Sequence, residues 1–132
     1  GILTRLLRDQ GVDALWSDPY CQNLVAKGFE HAGERAELVT AFEAFEHFIH
    51  PVEEMQRLFE VAPNLLISTD IIPTPTPMPD RWWYYGLSHG QHIGFMRIKV
   101  MQFLATKFDK HLLILQAFLL ASLTVPAFGK LT

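Results

Sequence analysis

AELVTAFEAFEHFIHPVEEMQRLFEVAPNLLIST, residues 36–69, decides the fold class. ELVTAF at 37–42 reads as a strand, and an acidic helical stretch over 43–50 follows it. Pro51 suits a first helical turn, and Val52, Met55, Leu58 and Phe59 recur at helical spacing until Pro63 breaks the pattern. LLIST at 65–69 is then a short β-rich run of the buried kind. A strand, a helix and a second strand joined by short links form a right-handed crossover, which builds a parallel sheet.

The same alternation is predicted on the N-terminal side. Ile2, Leu3, Leu6 and Leu7 lie at helical spacing with Arg5, Arg8 and Asp9 opposite and Gly11 as a stop. Residues 12–16 read as a buried strand ending at Ser17, Asp18 and Pro19, and a second helix is expected over 20–26, closed by Gly28. Residues 30–35 carry little pattern. On the C-terminal side Pro73, Pro75, Pro77 and Pro79 keep 72–81 extended, and an amphipathic helix is expected over 98–108. Two apolar runs after His111, separated near Ser122 and Pro126, are expected to pair as an antiparallel hairpin. The fold class is therefore α/β, a Rossmann-like and mostly parallel sheet flanked by helices with a C-terminal antiparallel hairpin, in one domain over 1–132.

Composition narrows the function. The 132 residues are 49% hydrophobic and 19% charged, which is enough apolar material for an ordinary core. The net charge of −3 argues against a broad electrostatic grip on nucleic acid. A single cysteine, Cys21, excludes a disulfide framework and a thiolate zinc site and fits a reducing compartment. The apolar stretch 112–125 is shorter than the ~20 residues of a spanning helix. The N-terminus lacks the basic start and apolar run of a signal peptide, so a cytoplasmic protein with no membrane span is expected.

Two groups of residues can carry chemistry. Asp18 stands at the carboxyl end of a predicted strand, where open α/β sheets place their ligand crevice, and could accept two hydrogen bonds from vicinal ribose hydroxyls. It could equally cap the helix expected after Pro19. In FEAFEHFIH, residues 42–50, Glu43, Glu46 and His47 fall at i, i+3 and i+4, within about 5–6 Å of one another at Cβ on a helix. Two carboxylates and an imidazole form an oxygen and nitrogen set suited to Mg²⁺, Mn²⁺ or a similar ion. One helix face cannot complete a site, and His89 and His92 in SHGQHIGF are the candidates for a further ligand. The alternative is that the glutamates favour the helix dipole while the histidines pack or face solvent. The four rings Trp82, Trp83, Tyr84 and Tyr85 cannot all face one side, so some should line a surface or pocket.

Taken together these segments resemble the class I S-adenosylmethionine-dependent methyltransferases, over most of the chain to about Phe108. GILTRLLRDQGVDALWSD is similar to that family's cofactor-loop exit, first helix and second strand. AELVTAFEAFEHFIHP resembles its fourth strand followed by ExxEH, and GQHIGFMRIKVMQFLATKF the segment before its sixth strand. The resemblance implies methyl transfer to a small-molecule acceptor, with Gly1, Asp18, Pro19, Phe42 and Glu43 at the cofactor. ExxEH with a downstream histidine resembles the subset that includes ubiquinone-pathway O-methyltransferases and small-RNA 2′-O-methyltransferases. That implies a divalent ion, Mg²⁺ or another, on Glu43, Glu46, His47 and His92, with His89 as the substitute.

The glycine-rich GxGxG loop and the strand before it are not found, so the domain is expected to be partial at its N-terminus, with Gly1 as the loop's last glycine. Glu30 is the candidate for the adenine-contacting acid. If an oxygen is methylated, His47 or His92 is the expected proton acceptor. The competing readings are a methyltransferase-like binding module without activity and a metal-dependent hydrolase built on the same four ligands.

Overall fold

The computed structural model describes residues 1–115 and 118–121. The chain divides into two compact units, Gly1–Glu34 and Arg35–Thr132. In the second, β1 (Leu38–Phe42) lies parallel to β2 (Asn64–Ser68), with Leu38 opposite Asn64 and Phe42 opposite Ser68. The register brings the carboxyl ends of both strands level, so the residues that follow, Glu43 and Thr69, emerge side by side.

A helix, Pro51–Val61, crosses from β1 to β2, as the apolar spacing implies. Pro51 fits its first turn because the missing N–H has no partner to lose there, and Glu53 and Glu54 place negative charge at the positive end of the helix dipole. It stops at Ala62, which is extended because Pro63 follows. The helix expected over 43–50 forms only as a 3₁₀ turn, Phe45–His47. Glu43 occupies the left-handed region at φ 47° and Phe48 is extended, so helix cannot propagate in either direction. The residue before Pro51 is likewise held out of the helical region.

Met55 from the crossover helix and Leu65 and Ile67 from β2 meet Phe45, Met96, Met101 and Leu104 in the core. Met101 and Leu104 come from a helix over Ile98–Lys107, close to the expected span. Residues 72–81 contain no helix, and a 3₁₀ turn at Trp83–Tyr85 ends on Gly86, whose φ of 57° a side chain would strain. Ile71 bridges Met96 in parallel, and Ile72 N–H donates to Met96 O at 2.9 Å. Beyond His111, β3 (Leu112–Leu115) pairs antiparallel with β4 (Phe118–Ala121). That pairing falls inside the first apolar run. The hairpin expected about Ser122 and Pro126 lies outside the described residues.

The first unit departs further from expectation. Its helix α1 (Ile2–Asp9) forms, with Arg5 Nε 2.9 Å from Asp9 one turn on. The strand expected over 12–16 is reduced to one parallel bridge, in which Trp16 N–H donates to Phe29 O at 2.8 Å and His31 N–H to Trp16 O at 2.9 Å. The helix expected over 20–26 is absent. Asn23 explains this: its amide donates to Ala26 O at 2.6 Å and accepts from Ala26 N–H at 2.9 Å, satisfying locally the groups a helix would have paired. Arg8 braces the same unit, donating to Asp13 and Ala14 O and lying 3.7 Å above the Phe29 ring.

Candidate functional site

Beyond Phe42, β1 hands the chain to Glu43 and then to the 3₁₀ turn that carries Glu46 and His47. Phe45, fully buried, anchors that turn in the core. The carbonyl of Glu46 accepts two backbone hydrogen bonds, from Ile93 N–H at 2.8 Å and Gly94 N–H at 2.9 Å. These bonds bring the segment containing His92 against the turn. Two stretches more than forty residues apart are thereby fixed side by side through main-chain groups.

Each histidine is oriented by a carbonyl. His47 Nδ1 lies 2.9 Å from Gln91 O, and His92 Nδ1 lies 2.6 Å from Tyr84 O. A carbonyl oxygen can only accept, so Nδ1 carries the proton in both neutral rings and Nε2 is left with its lone pair. The two rings stand edge to face with centroids 5.0 Å apart.

Glu46 is fully buried, and neither of its carboxylate oxygens has a hydrogen-bond partner. His47 Nε2 is 3.8 Å from Oε1, too long for a hydrogen bond. A buried carboxylate left without partners is costly. One ligand atom each from Glu46, His47 and His92 lie within 4.8 Å of one another. An orphaned carboxylate beside two imidazole lone pairs, each ring fixed through its other nitrogen, fits a divalent cation.

Glu43 is not brought into this group. Ser68 Oγ donates to its Oε1 at 2.6 Å, and Tyr84 OH donates to its Oε2 at 3.3 Å. Its own N–H is shared between Ser68 O at 3.1 Å and Ser68 Oγ at 3.0 Å. The physical reason for the difference is the missing helix: with Glu43 at positive φ, the i, i+3 spacing no longer projects it onto the face of Glu46. His89 is also outside the group. Its Nδ1 accepts from Gln91 N–H at 3.2 Å, and its ring stands 5.1 Å from that of His92.

Two further groups at the strand ends have shifted acidities. Burial first, and then the Glu43 charge, hold Asp70 above the ordinary carboxylate value. Burial pushes the Tyr84 phenol well above its usual range. Tyr84 and Ser68 were not singled out as site residues from the sequence. The only available signal was the position of Tyr84 within the aromatic run.

In the first unit Asp18 Oδ1 accepts from Tyr20 N–H at 2.8 Å and Cys21 N–H at 3.1 Å. The Tyr20 bond leads the effects that hold the Asp18 pKa below the aspartate norm. This is the capping alternative without the helix: Asp18 closes a turn around Pro19. Gly1 caps α1 and accepts from Arg5 N–H at 3.0 Å, and a Cβ there would collide with the Asn23 side chain. Glu30 binds Asn23 Nδ2 and Gly28 N–H, both at 2.9 Å. In the second unit Phe42 is partly exposed at the end of β1.

Among the described residues no helix is long and apolar enough to cross a membrane. The family described as "Methyltransferase domain" matches residues 1–109. No curated protein matches the chain. No solved structure matches it either.

Proposed function

We propose, on the premise that this chain belongs to the methyltransferase-domain family, that it methylates an oxygen of a small-molecule acceptor with a divalent cation held by Glu46, His47 and His92. Family membership makes it an S-adenosylmethionine-dependent methyltransferase. The acceptor oxygen and the cation are our reading, as is the assignment to the subset marked by ExxEH and a downstream histidine.

The observation that carries the reading is Glu46, buried with both carboxylate oxygens unpartnered beside two oriented imidazoles. A divalent ion there would polarise the acceptor oxygen and lower its pKa. The chain's own residues supply the rest. Glu46 brings negative charge into a dry position, and the Nε2 atoms of His47 and His92 supply lone pairs in a fixed direction. Where an imidazole is not engaged as a ligand, the same Nε2 can take the proton of an acceptor hydroxyl. When bound, S-adenosylmethionine would supply the methyl group to that oxygen, with the electron pair of the broken S–C bond remaining on sulfur. Because the sulfonium is already an activated donor, orientation supplies much of the remaining acceleration.

For the cofactor we assign Asp18 to the ribose hydroxyls, with Gly1 and Pro19 of the same unit, and in the second unit we assign Phe42. Both backbone bonds to Asp18 fall on Oδ1, so the carboxylate is held in one orientation. Calorimetric titration with S-adenosylhomocysteine tests this assignment: Asp18→Ala should bind at least tenfold more weakly, on the order of the loss of a charge-assisted hydrogen bond. Equal affinity would leave Asp18 as a turn residue alone. Titration with Mn²⁺ tests the cation, with binding by the wild type and none by Glu46→Gln expected. Cofactor binding with no Mn²⁺ binding would remove the metal and leave the histidines as proton acceptors.

A further inference from the structure

Glu43 opens the ExxEH motif yet lies outside the group formed by Glu46, His47 and His92, and its two carboxylate oxygens both have partners within the fold. We infer that Glu43 is a positioning residue which, through Tyr84, sets the orientation of His92. The inference rests on the cation reading above for its function, but its geometry stands independently of that reading.

The chain of contacts is continuous. Tyr84 is 1% exposed, and its hydroxyl lies 3.3 Å from Glu43 Oε2 and 3.1 Å from Thr69 Oγ1. A carboxylate can only accept, so the single phenolic proton goes to Glu43 and Thr69 donates to the phenolic oxygen. Ser68 Oγ occupies the other carboxylate oxygen of Glu43. The ends of β1 and β2 therefore grip the far end of the Tyr84 side chain. At the near end, Tyr84 O accepts the Nδ1 proton of His92 at 2.6 Å, and the two rings stand 4.6 Å apart. Any displacement of Tyr84 moves both the carbonyl that fixes which ring nitrogen of His92 is protonated and the surface the ring rests on.

Glu43 also holds a left-handed conformation at φ 47°, which strains a non-glycine residue. The Ser68 bonds to its N–H and carboxylate offset that strain. Backbone strain retained next to oriented site residues is consistent with a demand for one particular placement.

The test uses the whole chain with Glu43→Ala, Glu43→Gln and Tyr84→Phe, read by Mn²⁺ titration and by ring-¹⁵N NMR of His92. Glutamine keeps an oxygen to accept from the Tyr84 hydroxyl and presents an amide that donates to Ser68 Oγ, reversing that one bond, so Glu43→Gln should hold Mn²⁺ affinity within about threefold. Glu43→Ala and Tyr84→Phe should each lose about 10–100-fold, the usual cost of removing a group that orients a metal-binding histidine. Their losses should not add in the double variant, because both break one chain of contacts. The NMR should show the Nδ1-protonated form of His92 depleted in Glu43→Ala and Tyr84→Phe and kept in Glu43→Gln.

A loss in Glu43→Gln as deep as in Glu43→Ala, with the His92 signals unchanged, would make Glu43 a ligand and overturn the inference. If the wild type binds no Mn²⁺, the cation reading fails, while unchanged His92 signals in Glu43→Ala would separately overturn the positioning role. If Tyr84→Phe does not fold, the contrast between Glu43→Ala and Glu43→Gln decides the question.

Discussion

Around Glu46 polar groups are ordered chiefly by partners distant in sequence, whereas around Asp18 they are ordered by neighbours. His47 reaches Gln91 O, 44 residues on, and Glu43 reaches Ser68 and Tyr84, 25 and 41 residues on, while His92 is held by the carbonyl of Tyr84, eight residues back. Asp18, Asn23 and Glu30 bind backbone or side chains no more than seven residues away. The first arrangement leaves a buried carboxylate without a hydrogen-bond partner, the demand that the proposed cation would meet. The second shapes an exposed loop whose side chains satisfy one another. One region is organised around an unmet electrostatic demand, and the other has met its own.

The largest effect should come from the core beneath the first region. Phe45 is fully buried next to Glu46, so Phe45→Ala should lower unfolding free energy by about 3–5 kcal/mol in chemical denaturation and abolish Mn²⁺ binding with it. A loss of binding without loss of stability would show that the turn is not core-anchored. Next in size is Glu46→Met, which removes the unpartnered charge. In the absence of divalent ions it should stabilise the protein by about 1–3 kcal/mol, while the increase in Tm on adding Mn²⁺ disappears. A less stable Glu46→Met would mean that the carboxylate is already satisfied.

Smaller effects belong to the loop. Asp18→Ala should shift Tm by only a few degrees, since it removes two hydrogen bonds at an exposed turn. A loss comparable to that of Phe45→Ala would erase the contrast between the regions. The pH dependence has a definite sign. Because folding lowers the Asp18 pKa, its contribution is present above about pH 4 and lost as pH falls through the lower folded value. Amide hydrogen exchange at Tyr20 and Cys21 should therefore accelerate, relative to the intrinsic rate, only in acid. Unchanged protection at pH 2 would remove Asp18 from the turn.

The same contrast governs what could be read in the sequence. β1, β2, the crossover helix and the helix over Ile98–Lys107 were legible because apolar periodicity and the breaks at Pro51 and Pro63 report core burial directly. The helix over 20–26 was misread because Asn23 and Asp18 bond the backbone in place of regular structure, and the strand over 12–16 because Ala14 O is taken by Arg8 and Ala14 N–H by Val12 O; periodicity carries no trace of that competition. In the site, Glu46, His47 and His92 were legible as a motif plus a downstream histidine. The place of Glu43 was not, since it depends on a left-handed backbone and on a tyrosine 41 residues away.

The central claim, that Glu46, His47 and His92 form a divalent-cation centre, is tested most directly by pulsed electron paramagnetic resonance of the Mn²⁺-loaded protein. The account predicts modulation from two imidazole nitrogens, reduced to one in His92→Ala. A spectrum with no nitrogen coupling would contradict it.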